Sequence, residues 1–487
     1  MPDFFKKYSK EAAFITGVLL CMFFFFINPL GLVFKAKLVL SVAVLMISWW
    51  VLDAMPLAVV ALLPLVLYPL LNINSIKETS KAYSDSIIYL FLGGFFLGLA
   101  IEKWNLHKRI ALNIIKLTGT NGNNIILGFI LSTGFLSMWL SNTATTMMMF
   151  PIAASVIHVI SLHANPGANI KNFSLTLMLS LAYASNFGGI ATIIGTPPNV
   201  AYVRHLNEHY KHSIDFVKWM MLCMPLAILL LLSLYFVMVK WLYPNHLTHS
   251  IDGRNFIDSE LKNMGKLSRQ EKRVLAVFCT TAFLWITKDI INARQKVFQL
   301  DDSMIALMGA ISLFIIPSGR NKEEPEERLL EWGDTNKMAW GILLLFGGGI
   351  ALAKSLEDAK LMEGLGRYIA GFATSNILLL IFIVTLISVF LSEVMSNVAQ
   401  VIVMAPVISA VADALHINPL LLGIPMTLGP SCASMLPMGT PPNAIVFASG
   451  HIKLKQMLKT GFVLNIICVV LITLFSWLLL PMIVPTF

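Results

Sequence analysis

The chain is 487 residues long, 57% hydrophobic and only 13% charged, with a mean hydropathy of +0.77, which is more apolar surface than a soluble core can bury. A net charge of +9 does not indicate a nucleic-acid binder here, because the cations collect in loops between apolar runs, the pattern that orients a membrane protein. The runs extend over around 20 residues rather than alternating every second one, which predicts spanning helices, not barrel strands, and an all-α polytopic fold in the lipid bilayer.

Lys6, Lys7 and Lys10 precede an apolar run with no small-residue cleavage site, so a first span over residues 12–33 is expected rather than a cleaved signal peptide. Residues 37–71 hold two more spans divided near 53–56, where Asp53 reads as an interfacial cap. The next span, 86–103, carries Gly93 and Gly94, which let neighbouring helices approach closely. An amphipathic arm at the interface follows it, over 103–117. Residues 123–160 are apolar but interrupted at 141–146, which predicts a re-entrant hairpin whose irregular tip must be buried or line a wet cavity. The helix over 173–194 is expected to stop at Gly195 and Pro197-Pro198, since proline cannot donate to the helical ladder. A span at 216–243 leads to one long hydrophilic loop, 244–273, the midpoint of the chain.

Spans at 274–291 and 303–317 and a charged linker, 320–337, precede a second run of the same features. These are a span at 338–353, an arm at 355–372, a hairpin at 376–412, a helix from 418 broken at 439–443, and a closing span at 461–484. The recurrence is visible residue by residue. Moving by 255 positions, Leu136, Ser137, Ser141, Asn142, Ala144, Met149 and Pro151 meet Leu391, Ser392, Ser396, Asn397, Ala399, Met404 and Pro406. Each half then carries one copy of a second motif, Gly195-Thr196-Pro197-Pro198-Asn199 and Gly439-Thr440-Pro441-Pro442-Asn443. One binding site built twice is the expectation.

With the N-terminus inside, about 11 spans and two hairpins entering from opposite faces follow, and the inner segments hold 22 of the 35 Lys and Arg. That bias favours a cytoplasmic N-terminus and an external C-terminus in the inner membrane, with the second repeat inverted relative to the first. The expected divisions are scaffold helices and first arm over 1–122, the first half of a transport domain over 123–243, linker, scaffold and second arm over 244–375, and the second half of the transport domain over 376–487.

A Ser-Asn-Thr tip between half-helices offers hydroxyls, an amide and the free N–H groups of a helix start, which suit an anion. Carbonyls at the helix breaks suit a small cation, and oxygen ligands without thiols or imidazoles favour a hard alkali ion such as sodium. No Lys or Arg lies in the four motifs, so a polyanion there would need bound cations. Glu393, three residues before Ser396, is a candidate by its depth alone. We read it as structural, either near the outer surface or held by nearby hydroxyls. His205-Leu206-Asn207-Glu208-His209, with His212 close by, matches a zinc-hydrolase pattern, but so short a pattern arises often by chance. The five cysteines (Cys21, Cys223, Cys279, Cys432, Cys468) have no metal-type spacing and read as packing residues.

The paired Ser-Asn-Thr and Ser-Asn-Val tips with the paired Gly-Thr-Pro-Pro-Asn breaks resemble the divalent anion/sodium symporter family over almost the whole chain. The resemblance implies a homodimeric, elevator-type carrier and no enzymatic activity. By the same resemblance, Ser137, Ser141, Asn142 and Gly195 surround one sodium, and Ser392, Ser396, Asn397 and Gly439 a second. Substrate would meet Ser141, Asn142, Thr143, Ser396, Asn397 and Val398, with Thr196, Pro197, Thr440 and Pro441 lining the pocket. Val398 stands where many bacterial relatives carry threonine, which removes one hydrogen bond. The implied cargo is a small dicarboxylate such as succinate, fumarate or malate with sodium. A sodium-independent dicarboxylate or citrate exchanger and a sulfate carrier remain open within the same fold.

Overall fold

The computed structural model describes residues 9–28, 31–119, 121–162, 169–210, 214–245, 247, 251–295, 297–319, 327–361, 364, 368, 371 and 376–483. Lys6, Lys7, His212, residues 320–326 of the charged linker and most of the second arm beyond residue 361 lie outside them. Among the described residues there are helices and no strands, and eight helices are long and apolar enough to cross a membrane.

Helices α1 (Ser9–Phe26) and α2 (Phe34–Val51) pack together. The turn after α2 holds Asp53, exposed and left-handed at φ 51°. The next apolar stretch is split into α3 (Leu57–Val60) and α4 (Leu63–Leu70) rather than running on as one span. Pro64, near the start of α4, has no N–H to offer the Val60 carbonyl, and the Leu65 N–H turns to the Leu62 carbonyl at 3.1 Å, which leaves the Ala61 carbonyl to accept the Tyr83 hydroxyl. After the short α5 (Ile76–Lys81), α6 (Ser86–Lys103) starts on Asp85, whose carboxylate accepts the Ile87 N–H at 3.0 Å. A Cβ on Gly93 of α6 would lie 2.6 Å from the Ala306 backbone, so this glycine does let two helices touch.

The first arm is α7 (Leu106–Thr118). Its Arg109 pairs with Glu271 at 2.6 Å and donates to the Gly265 carbonyl at 2.9 Å. The first hairpin is α8 (Gly122–Ser137) and α9 (Asn142–Leu162). Beyond it come α10 (Ile170–Gly189), α11 (Pro197–Tyr210) and α12 (Phe216–Tyr235), which runs on as a π-helical segment, Phe236–Leu242. The hydrophilic midpoint is not simply a loop. It contains α13 (Ile251–Asn263), whose Glu260 and Asp258 pair with Lys108 and Lys116 of the first arm, each at 2.7 Å.

Three helices, α14 (Arg269–Arg294), α15 (Asp302–Ile315) and α16 (Trp340–Asp358), precede the second hairpin, α17 (Ile377–Leu391) and α18 (Asn397–Ala414). Then follow α19 (Leu420–Leu428) with a 3-10 turn over Gly429–Cys432, α20 (Pro441–Phe447) and α21 (Leu454–Leu478). Both hairpins open on an asparagine cap: Asn121 Oδ1 accepts the Asn124 N–H at 2.7 Å and Asn376 Oδ1 the Leu379 N–H at 3.2 Å. The halves interlock, with α10 against α20 and α11 against α18. Tyr183 Oη donates to the Ser434 carbonyl at 2.8 Å across that seam.

The breaks lie upstream of where prolines alone would put them. Helix α10 ends at Gly189, and Pro197-Pro198 begin α11 rather than ending α10. Pro441 and Pro442 begin α20 in the same way, capped by Thr440 Oγ1, which accepts the Asn443 N–H at 3.3 Å. The first turn of a helix leaves N–H groups unpaired in any case, so proline costs nothing there.

Candidate functional site

Each hairpin tip is a short turn closed by a hydroxyl and an amide. Ser137 Oγ donates to Asn142 Oδ1 at 2.7 Å, and 255 residues later Ser392 Oγ donates to Asn397 Oδ1 at 2.7 Å. Asn142 and Asn397 are the first residues of α9 and α18, so the partly positive helix starts sit at both tips. The interruption is shorter than 141–146: Thr146 is already helical, its hydroxyl bonded to the Asn142 carbonyl at 2.9 Å and to Ser185 Oγ at 2.8 Å.

The first tip closes onto the first break. Asn142 Oδ1 stands 2.7 Å from Ser137 Oγ, 3.1 Å from the Ser185 carbonyl and 3.3 Å from the Gly195 carbonyl. Two orientations of that amide make chemical sense. With oxygen inward it completes a cage of neutral oxygens, the donor set of a hard alkali cation. With nitrogen inward its two N–H groups have three acceptors within reach. Glycine is required around the cage. A Cβ on Gly195 would be 2.5 Å from the Gly189 carbonyl oxygen and 3.0 Å from that of Ser137, and one on Gly189 would collide with the Asn142 amide.

Of the four residues expected at the first ion, Ser137, Asn142 and Gly195 converge. The Ser141 hydroxyl instead accepts the Ala144 N–H at 3.2 Å, at the start of α9. At the second tip, Ser392 also reaches the Pro430 carbonyl at 3.2 Å, and Gly439 lies beside Glu393, whose Oε2 is 3.0 Å from where its Cβ would be. Ser396 precedes α18 without a side-chain capping bond. Val398 is half-buried and packs on the apolar cluster of α2, α4 and α16. Thr196 and Thr440 are buried, Pro197 and Thr143 half-buried, and Pro441 exposed. A cavity of about 90 Å³ lies between the first tip and the early helices, lined by Ser141, Ala144, Ile194, Gly98, Glu102 and Lys337.

Glu393 is buried, but not among hydroxyls. Its carboxylate accepts the N–H groups of Ser434, Met435 and Leu436 at 2.8, 2.9 and 3.0 Å and the Asn465 amide at 2.7 Å. The last residue of each motif copy does matching work. Asn199 Nδ2 donates to the Gly189, Ile190 and Thr192 carbonyls at 3.1, 3.4 and 2.8 Å, and Asn443 Nδ2 to those of Ala433 and Leu436, both at 3.1 Å. Both are fully buried. Their duplication was the available signal for a shared structural task. Asn199→Ala is expected to cost about 1–3 kcal/mol through the carbonyls it leaves unpaired, read as a lower melting temperature, with a similar fall for Asn443→Ala.

The zinc-like pattern resolves differently. His205 Nε2 faces Ser409 Oγ at 2.8 Å, His209 bridges Glu357 at 3.0 Å and Asp413 at 3.2 Å, and Glu208 turns to Arg204. These contacts tie α11 to α16 and α18. Among the described residues no group of three His, Cys, Asp or Glu is arranged to hold a metal.

The family described as "sodium:sulfate symporter transmembrane region" matches residues 8–484. The chain belongs to that family. The match agrees with the resemblance read from the motifs, and the family is one of transporters, not enzymes. Among its relatives, sodium-dependent dicarboxylate transporters named SdcS from two Staphylococcus aureus strains, MRSA252 and NCTC 8325, are 37% and 36% identical, each over 99% of this chain and 94% of theirs. Two solved transporters share the fold at low identity. The Alcanivorax borkumensis YdaH transporter superposes at TM-score 0.56 with 12% identity, covering 80% of this chain and 84% of its own. Neisseria gonorrhoeae MtrF does so at 0.56 with 14%, covering 83% and 84%.

Proposed function

We propose that the protein is a sodium-coupled symporter of small dicarboxylates such as succinate, fumarate or malate. The observation that carries this reading is the neutral oxygen cage around Asn142, built next to a helix start with no Lys or Arg in the four motifs. A dianion at the tips is then neutralised by captured ions and helix dipoles, which favours carrying cation and anion together. The names of the staphylococcal relatives support the same ion and cargo.

In this reading one sodium is held by Ser137, Asn142 and Gly195 with Ser185, and a second by Ser392, Asn397 and Gly439. Ser141, Thr143, Ser396, Val398, Thr196, Pro197, Thr440 and Pro441 surround the dicarboxylate. The hairpins, the broken helices and the helix after each form a moving body, and the remaining helices a scaffold through which two copies of the chain associate. Ion pairs such as Arg204–Asp85, at 2.5 Å, cross the boundary between the two parts. The N-terminus is cytoplasmic and the second repeat inverted, supported by the distribution of Lys and Arg.

Labelled succinate should accumulate in proteoliposomes only under an inward sodium gradient, without internal dicarboxylate. Uptake that ignores sodium and requires internal substrate would replace symport by exchange. A companion result is expected in detergent: succinate raises the melting temperature when sodium is present and fails to do so in potassium, because only a bound ligand stabilises by mass action.

A further inference from the structure

Asn186, on α10 and 1% exposed, joins the first ion cage to the opposite half of the molecule. Asn142 Nδ2 donates to Asn186 Oδ1 at 3.4 Å, and Asn186 Nδ2 donates to Thr440 Oγ1 at 3.0 Å. Thr440 Oγ1 also accepts the Asn443 N–H at 3.3 Å. Two donors fill both lone pairs of that hydroxyl, which leaves its O–H free to donate elsewhere.

We propose that Asn186 is a positioning residue that transmits occupancy of the first ion cage to the Thr440 hydroxyl through paired amide rotations. This rests on the reading above, in which sodium occupies that cage and Thr440 faces the dicarboxylate. A cation in the cage requires Asn142 to present its oxygen, so its NH2 must face Asn186. Asn186 then presents its NH2 to Thr440, and the threonine O–H points to the anion. Without a cation, the Asn142 amide rotates and its two N–H groups are shared among Ser137 Oγ and the Ser185 and Gly195 carbonyls, all within 3.3 Å. Its oxygen now faces Asn186, which must rotate to donate to it. The Asn186 oxygen then accepts the Thr440 hydroxyl and withdraws that donor from the substrate. The row from Asn142 through Asn186 to Thr440 stays hydrogen-bonded in both settings and reverses its direction, so the Thr440 O–H goes to the anion in one and to Asn186 in the other.

The relay belongs to one half only. Moving by the 244 positions that separate Gly195 from Gly439, Asn186 falls on Pro430, which has no side-chain donor or acceptor. The repeat explains the ion cages but not Asn186. A residue used in one copy alone is free to link that copy's ion to the cargo.

The test is the factor by which saturating sodium tightens succinate binding, measured from succinate-dependent melting shifts and uptake KM across sodium concentrations. Sodium affinity without succinate is read separately from sodium-dependent melting. Asn186→Leu, close in size and without an amide, should lower the sodium–succinate coupling factor about tenfold, the effect of one directed hydrogen bond. Its sodium affinity alone should stay within about threefold of wild type, since the cage oxygens remain. Asn186→Ala serves as a second variant and should behave alike. Thr440→Val should lower the coupling factor similarly, and adding it to Asn186→Leu should lower it no further, because both act on one row. Unchanged coupling in both Asn186 variants, parallel losses of sodium and succinate affinity, or multiplicative losses in the double variant would each overturn the relay. A wild-type protein whose succinate binding ignores sodium would instead remove the symport reading on which it rests.

Discussion

Gly195→Ala is expected to abolish sodium-driven succinate uptake while leaving a folded protein. The added methyl group would sit 2.5 Å from the Gly189 carbonyl oxygen and 3.0 Å from the Ser137 carbonyl oxygen. Both are backbone atoms at the ends of helices, so neither can swing aside as a flexible side chain would. The strain is relieved by moving the segment over 190–196, which carries the Gly195 carbonyl out of the cage. Asn142 and Ser137 cannot follow, since α8 and α9 are fixed by packing on α10. A displacement approaching an ångström at a preorganised site costs on the order of 100-fold, so uptake at moderate sodium should fall to background. The dicarboxylate should bind weakly at any sodium concentration, and sodium alone should no longer shift the melting curve. Retention of sodium-dependent uptake within about threefold, well short of that displacement cost, would mean that the ion is held elsewhere.

How much of this was legible beforehand differs from residue to residue. The two tips and two breaks stood out because polar residues interrupt long apolar runs at the same spacing twice, and no tertiary knowledge is needed to see that. The breaks begin several residues before the prolines that signal them. Proline is a local signal, and here it marks the start of the next helix rather than the end of the one before. The actual end of α10 is set by Asn199, which collects three carbonyls from residues seven to ten places back, and a propensity rule assigns no such role. Helix α13 was hidden for a related reason, as its acidic residues are stabilised by lysines on α7 more than 140 residues away in sequence. Asn186 carries no sequence signal at all. A lone asparagine in a membrane helix is ordinarily interhelical glue, and its partner Thr440 lies 254 residues further on.

Glu393→Ala should be among the most destabilising single substitutions in the chain. The carboxylate is 4% exposed and is the shared acceptor for three consecutive backbone N–H groups and the Asn465 amide. Successive N–H groups pointing into one concavity form an anion nest, and here the anion is supplied by the protein itself. The first half has no such group. Position 138, the counterpart of 393, is methionine, and its break is instead closed by Thr192, whose hydroxyl donates to the Met138 carbonyl and accepts the Gly195 N–H at 3.1 Å. Removing Glu393 leaves donors without partners where water is scarce, at a cost of about 3–5 kcal/mol, so a steep loss of melting temperature and of folded yield is expected. Glu393→Gln separates shape from charge. It keeps one acceptor oxygen but turns an NH2 towards backbone donors, so it should recover part of the stability and not all of it. Because Glu393 adjoins Ser392, the loss of its negative charge should also weaken sodium at the second site, whereas sodium at the cage around Asn142 should be little affected. Equal stability of wild type and Glu393→Ala in thermal melts would show that the nest has another occupant and that the second break is held open by something other than this carboxylate.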